Sequence, residues 1–259
     1  MRVALGIEYD GHDFYGWQSQ DGLYTLQACL EKALSAVAIE PIRIFCAGRT
    51  DAGVHATGQV VHFDTNAQRP ERAWTFGTRE HMPASVTVRW AQTVDENFHA
   101  RFSAVSRRYR YVIYNNVRPS AILVKQVTHY HRPLDAERMH SAAQCLLGQH
   151  DFSSFRSSQC QAKSAVRTLH FITITRQQDF VIIELQANAF LHHMVRNLSG
   201  VLLRIGSGQL PVSALQEILD VRDRKQAFET APAAGLYLTE VTYPEPWIFP
   251  KTAVPLLFY

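Results

Sequence analysis

Twice along this 259-residue chain the apolar residues change period, from that of a strand to that of a helix and back, in the same order each time. Val3, Leu5, Ile7 and Tyr9 alternate at strand spacing. Leu26, Leu30, Leu34 and Val37 then recur at helical spacing, with Thr25 placed to cap. Strand-type runs follow at 42–48, 59–64 and 86–91, the last preceded by a weaker helical segment that leads to Pro83. In the second half, Arg107 to Tyr114 alternates and Asp135 to Leu147 reads as a helix stopped by Gly148. Leu169 to Thr175 and Phe180 to Ala187 read as strands joined by a polar turn. Leu191 to Ile205 is a strongly amphipathic helix, Val212 to Val221 a shorter one, and Leu236 to Tyr243 a last strand. The halves share element order but no visible identity. That order predicts an α+β fold of two units, with helices segregated to one side of a mostly antiparallel sheet and the other face open to a ligand. The likeliest boundary lies at Ala100 to Ser106, giving halves at 1–104 and 105–259.

With 46% hydrophobic and 19% charged residues the chain can bury a large core, which excludes general disorder. A net charge of +3 permits an anionic partner without demanding one. Cys29, Cys46, Cys145 and Cys160 form no C-x-x-C pair, so neither a zinc ribbon nor a thioredoxin-like site is signalled. The first ten residues read as a strand rather than a signal peptide, and no apolar run reaches the ~18 residues of a membrane span. A cytoplasmic, reducing setting with four free thiols is the expectation.

One segment concentrates chemistry: Gly48-Arg49-Thr50-Asp51-Ala52-Gly53-Val54-His55, a glycine-bracketed loop after a strand. Gly48 and Gly53 permit backbone conformations closed to other residues, so a carboxylate can be held at a strand end. Arg49 and Asp51 are two apart and, if extended, face one ligand together. The alternative is an Asx-turn in which Asp51 merely caps a loop amide. In Arg107-Arg108-Tyr109-Arg110-Tyr111, Arg108 and Arg110 point one way and Tyr109 and Tyr111 the other. Alternating cations and rings suit phosphates and bases, or a half-exposed strand with its tyrosines in the core. His192 and His193 are adjacent, which is the wrong spacing for a helical metal pair. Arg196 sits among Met194, Leu198, Val201 and Leu202, where a charge needs a partner. Aromatics in Tyr9-Asp10-Gly11 and Phe14-Tyr15-Gly16-Trp17-Gln18 suit either a nucleic-acid groove or a packed loop. His150-Asp151 reads as a turn cap. Dinucleotide, P-loop and hydrolase-elbow motifs are missing.

The 48–55 segment resembles the signature of the tRNA pseudouridine synthase A family. Five further segments are similar in the same order: 9–18; Phe98 to Ala104 with Tyr109 to Tyr111; 148–156; Phe190 to Asn197; and Gly235 to Leu238. The resemblance implies an isomerase that converts uridine to pseudouridine at positions 38, 39 and 40 of the tRNA anticodon stem-loop. It implies a cytoplasmic homodimer acting without cofactor or metal, built from two RNP-like halves around a central sheet. By the same likeness Asp51 is the catalytic nucleophile or base, and Tyr109 stacks on the target base. Arg49 helps displace that base, and Arg196 pairs with Asp51 and keeps it ionised. Arg108 and Arg110 are candidates for an RNA-facing basic surface. Gly77-Thr78-Arg79 departs from the family, which usually has Asn where Arg79 stands. A hydrolytic nucleosidase using the same aspartate and a non-catalytic RNA binder are the competing readings.

Overall fold

A computed structural model describes residues 1–251. It divides into two compact units, one of Met1–Val105 with the described segment 237–251, the other Ser106–Leu236. The first half carries β1 (Arg2–Tyr9), α1 (Leu26–Ala38), β2 (Phe45–Cys46), β3 (His55–Asp64), α2 (Glu71–Thr75) and β4 (Val86–Val94). The second carries β5 (Ser106–Asn115), β6 (Thr128–Tyr130), α3 (Ala136–Ala143), β7 (Gly148–Asp151), β8 (Val166–Gln177), β9 (Phe180–Ala187), α4 (Met194–Gly206) and α5 (Ala214–Val221). β10 (Leu236–Thr242) follows and supplies a strand to the first unit. The fold is α+β with mostly antiparallel strands. No helix among the described residues is long and apolar enough to cross a membrane.

In the first unit the strand order is β4-β1-β3-β10, with β2 also on β3. β1 runs antiparallel to both neighbours, with Arg2 opposite Asp64 on β3 and Val94 on β4. The free edge of β3 is shared: Tyr237 and Leu238 pair parallel to His55 and Ala56 at one end, and Phe45 and Cys46 pair with His62 and Val61 at the other. The alternation of Val3, Leu5 and Ile7 marks the helix-facing side, where Phe63 meets Trp74 of α2 edge-on at 5.1 Å. The opposite side is not bare, because Ala4 and Val60 pack with Phe98, Tyr243, Trp247 and Phe249. The Tyr243 hydroxyl donates to the Ala100 carbonyl at 2.7 Å and secures that cover. Around Ala4 and Val60 the face expected to be open is therefore covered by irregular chain, which hydropathy periods do not register.

Helix α1 buries Leu26, Leu30, Ala33, Leu34 and Ala38, an i, i+4, i+7, i+8, i+12 stripe worth about 1.5–3 kcal/mol per large side chain. Thr25 does not cap it: its side chain makes no cap bond and is fully buried. The first amides are satisfied from afar, Leu26 N donating to Gly16 O at 3.1 Å and Gln27 N to Trp17 O at 2.9 Å. A helix start needs partners for its N–H groups but not from its own N-cap.

The second unit has strand order β5-β9-β8-β7, with β6 parallel to β5. α4 begins only at Met194; His193 adopts φ 62 and ends the preceding turn, so residues 191–193, expected in the helix, lie outside it. Asp135 caps α3 by accepting from Arg138 N at 2.9 Å. The Arg138 guanidinium closes the end of α4, donating to Ile205 O at 2.9 Å and Leu210 O at 2.8 Å. Gly148 does not stop α3, which tightens to a 3-10 turn at Gln144–Leu146, and Gly148 opens β7 at φ 92. Asp151 does cap a turn, its Oδ1 accepting from Ser153 N at 2.9 Å.

His62 lies buried against Phe45, His99 and Phe98, and its Nδ1 accepts from Ala100 N at 3.1 Å. Burial pushes its imidazole down to about 4, with the neighbouring His99 and Arg2 adding to the effect. The folded state thus favours the neutral ring. Its contribution is complete above the unfolded value near 6.5 and is lost as pH falls toward 4. Thermal unfolding temperature should drop through that window, and His62→Asn should flatten the drop. An unaltered slope in the variant would assign the acid sensitivity to other groups.

Candidate active site

The loop between β2 and β3 is held at each end and in the middle by groups distant in sequence. At its start the buried Gln59 amide grips Gly48, donating to Gly48 O at 2.6 Å and accepting from Gly48 N at 3.4 Å. At its centre Thr50 is bound twice: its Oγ1 lies 2.8 Å from the Tyr9 hydroxyl, and its carbonyl accepts from Trp17 N at 3.0 Å. A turn follows in which Val54 N donates to Asp51 O at 3.1 Å and Gly53 adopts φ 78. Gly48 does not adopt a positive φ; its part is the backbone that Gln59 holds.

At the loop's end His55 is buried and its Nδ1 faces two groups. Gly11 N lies 3.1 Å away and Asp10 Oδ1 3.0 Å away. A bare Nδ1 serves the amide and a protonated one serves the carboxylate. The Tyr237 ring stacks on His55 at 4.7 Å. Burial, with Asp10 nearby, pushes the Tyr237 phenol up and keeps it neutral. Neither Tyr237 nor Gln59 shows a role in the sequence. Tyr237 stood in a recognisable segment, whereas a glutamine on a strand carries no such signal.

Close approach makes this possible. A Cβ on Gly11 would lie 1.9 Å from the Val54 carbonyl oxygen, and one on Gly16, at φ 81, would lie 3.0 Å from Thr50 O and 3.2 Å from the Asp51 carbonyl carbon. The 10–17 arch therefore rests directly on the loop's backbone. Thr50 and Val54 are buried, Asp51 is half-buried between them and Arg49 is exposed. A carboxylate on such a rigid turn, beside an exposed guanidinium, suits nucleophilic or general-base work on an anionic substrate.

The other expected residues belong to the second unit. Tyr109, on β5, is largely buried and meets Phe190 edge-on at 4.9 Å. Tyr111 is wholly buried, its hydroxyl 2.6 Å from Thr128 Oγ1 and donating to Pro232 O at 2.9 Å. Of the two tyrosines, Tyr111 is a core residue. Arg108 and Arg110 do share a face, as alternation requires, but Glu184 of β9 shares it too. It lies 3.7 Å from Arg108 Nε and 3.4 Å from Arg110 Nη2. Arg110 is buried, and Arg108 lies over the Phe171 ring at 4.5 Å. Glu184 offsets the positive charge the sequence pattern assigned there. Arg196, on the first turn of α4, donates through Nε to Ala231 O at 2.8 Å, and its own carbonyl accepts from Ala231 N at 3.1 Å. The His192 and His193 rings lie 4.0 Å apart, tilted by 36°, just before that helix. Arg79 is exposed on a 3-10 turn that Thr78 anchors by donating to Trp74 O at 2.8 Å.

Gly11→Ala should force the arch off the loop, because the new methyl meets a backbone oxygen that cannot rotate away. A loss of about 1–3 kcal/mol is expected from urea unfolding. Gly77→Ala, whose methyl meets only the Val37 side chain at 3.5 Å, should be nearly neutral in the same measurement. Equal effects of the two would refute the close approach.

A sequence profile described as tRNA pseudouridine synthase matches residues 6–103 and 142–244. The chain is 57% identical over 258 residues to "tRNA pseudouridine synthase A" of Pseudoalteromonas atlantica, covering 100% of this chain and 98% of that protein. It is 58% identical over 259 residues to the protein of the same name from a Shewanella strain, covering 100% of this chain and 99% of the other. Both halves carry the match, including the aspartate loop, Tyr109's neighbours on β9 and the start of α4. The chain belongs to the tRNA pseudouridine synthase family.

Proposed function

We propose that this chain isomerises uridine to pseudouridine at positions 38, 39 and 40 of the tRNA anticodon stem-loop, as a cytoplasmic homodimer needing no cofactor or metal. The observation that carries the reading is the Asp51 loop, locked by Tyr9, Trp17, Gln59 and His55 with its carboxylate on a half-buried turn. The reaction breaks the N1–C1′ glycosidic bond, turns the uracil and joins C5 to C1′. N1 gains a proton and C5 loses one, so neither a redox partner nor an energy source is required. The target sits in a stacked arm and must be extruded first. Exposed Arg49 is suited to displacing it and Tyr109 to stacking on it. Asp51 acts as nucleophile or base, and Arg196 pairs with it and stabilises its charge. Arg108, only partly exposed, remains the better of the two β5 candidates for an RNA contact. Arg110, buried against Glu184, is the weaker.

Replacing Asp51 with Asn keeps size and removes the charge. Pseudouridine formation should vanish, read as a carbodiimide-reactive base at unchanged RNA mass, while tRNA binding is largely kept. Product from Asp51→Asn in a single turnover would remove Asp51 from the chemistry. Loss of uracil mass from wild-type reactions would favour the nucleosidase reading, and no change in the RNA would favour a binder.

Arg196→Met removes the proposed partner. A carboxylate that loses a neighbouring cation is harder to ionise. Activity should fall at neutral pH and recover in part at higher pH. Arg196→Lys should do better than Met while losing the planar fork. Thermal unfolding measured alongside separates this from lost folding, since the Ala231 contact goes too. Wild-type activity with an unshifted pH profile would refute the pairing.

A further inference from the structure

The 10–27 arch that braces the Asp51 loop also carries rings that the bracing does not use. Phe14 and Trp17 point inward, at 3% and 2% exposure. Tyr15 and Tyr24 point outward, at 60% and 50%. The two strands of the arch are tied at this point, Tyr15 N donating to Tyr24 O at 2.9 Å. Tyr24 lies flat on Phe14, centroids 4.7 Å apart and planes at 18°, so a buried ring fixes an exposed one in position. Tyr15 immediately precedes Gly16, whose backbone touches Thr50 and Asp51. Trp17 N, two residues on, holds Thr50 O. The exposed rings are thereby mechanically coupled to the aspartate loop and lie beside it.

We propose that Tyr15 and Tyr24 form a base-stacking ledge that takes up an unpaired RNA base flanking the target uridine. Single-stranded bases bind proteins by stacking on aromatic faces, which tolerates any base because each has a π-face. Tyr24 on Phe14 is already a two-ring stack with an outer face for a third. Asp13 and Asp21, exposed on the same arch, make it a poor seat for phosphate and leave the base face as the chemistry that fits. Arg49, exposed on the adjoining loop, is left to meet the backbone anion. Extruding one nucleotide unstacks its neighbour, and a ledge beside the aspartate loop restores stacking to that neighbour. The ledge deepens the proposed function and rests on it for the identity of the RNA.

The test uses an anticodon stem-loop RNA with 2-aminopurine next to the target uridine, titrated with the full-length protein. Binding to the wild type should quench the 2-aminopurine as it stacks. The double variant Tyr15→Ala/Tyr24→Ala should lose the quench and raise Kd about five- to a hundredfold. Tyr15→Phe/Tyr24→Phe should restore both, and Tyr15→Leu/Tyr24→Leu, which keeps bulk without a π-face, should not. Unfolding curves and solution mass are measured for every variant. Leu variants that behave like wild type, or an affinity loss that follows a change in oligomeric mass, overturn the ledge. In the latter case the rings contact a second copy. A wild type that isomerises the uridine while the double variant binds and quenches normally sinks the ledge alone. A wild type that quenches but forms no pseudouridine keeps the ledge and sinks the function.

Discussion

The contact on which the first unit depends is backbone against backbone, between the 10–17 arch and the 48–55 loop. It exists because Gly11 and Gly16 lack a Cβ where Val54 O and Thr50 O come near. Once the arch is seated, its polar groups serve two clients. The Trp17 amide holds Thr50, and the carbonyls of Gly16 and Trp17 cap the first amides of α1. The helix that fills the core and the loop that presents the carboxylate are therefore held by one segment. A disturbance of the arch reaches both, which couples stability to the position of Asp51.

The surrounding side chains divide the remaining work. Gln59 and His55 secure opposite ends of the loop, both from β3, whose register β1 sets from Asp64 to Gln59 before it shifts near Ala56. Tyr237 arrives on β10 and covers His55, so the described C-terminal strand completes the scaffold of a loop near residue 50. In the second unit the comparable anchor is α4. Arg138 closes its C-terminal end, and Arg196 near its N-terminus is tied to the chain at Ala231. Asn197, buried beside it, donates to Phe155 O at 2.8 Å and accepts from Thr230 at 2.6 Å. The Asn197 amide thus both donates and accepts inside this unit, as burial of a polar group requires.

The loop that bears Asp51 was legible early. A glycine-bracketed segment after a strand stands out in the sequence, although alone it suits a turn cap as well as a carboxylate at work, and family membership follows from segments spread along the whole chain. The basic strand was less legible. Alternation correctly placed Arg108 and Arg110 on one face, but nothing local says that Glu184, more than seventy residues away, sits opposite them. Tyr109 and Tyr111 look alike in sequence, and their separation into a ring beside Phe190 and a core phenol depends on what each finds across the sheet.

The sequence alone determined the stripe of α1, the turn at Asp151, the loop bearing Asp51 and the order of the main strands and helices, though not the short β6 and β7. Each of these is a local property: side-chain period, a short-range hydrogen bond or a glycine. Tertiary structure decided what caps α1, since Thr25 turned inward and carbonyls from the arch took its place. It also decided where α4 begins, which face of the first unit is covered and how the aspartate loop is fixed. Those outcomes turn on which distant backbone or side chain arrives within about 3 Å to satisfy a polar group. Hydropathy has no term for such a meeting, and it is the meetings at Gly48, Thr50 and His55 that hold the Asp51 turn in place.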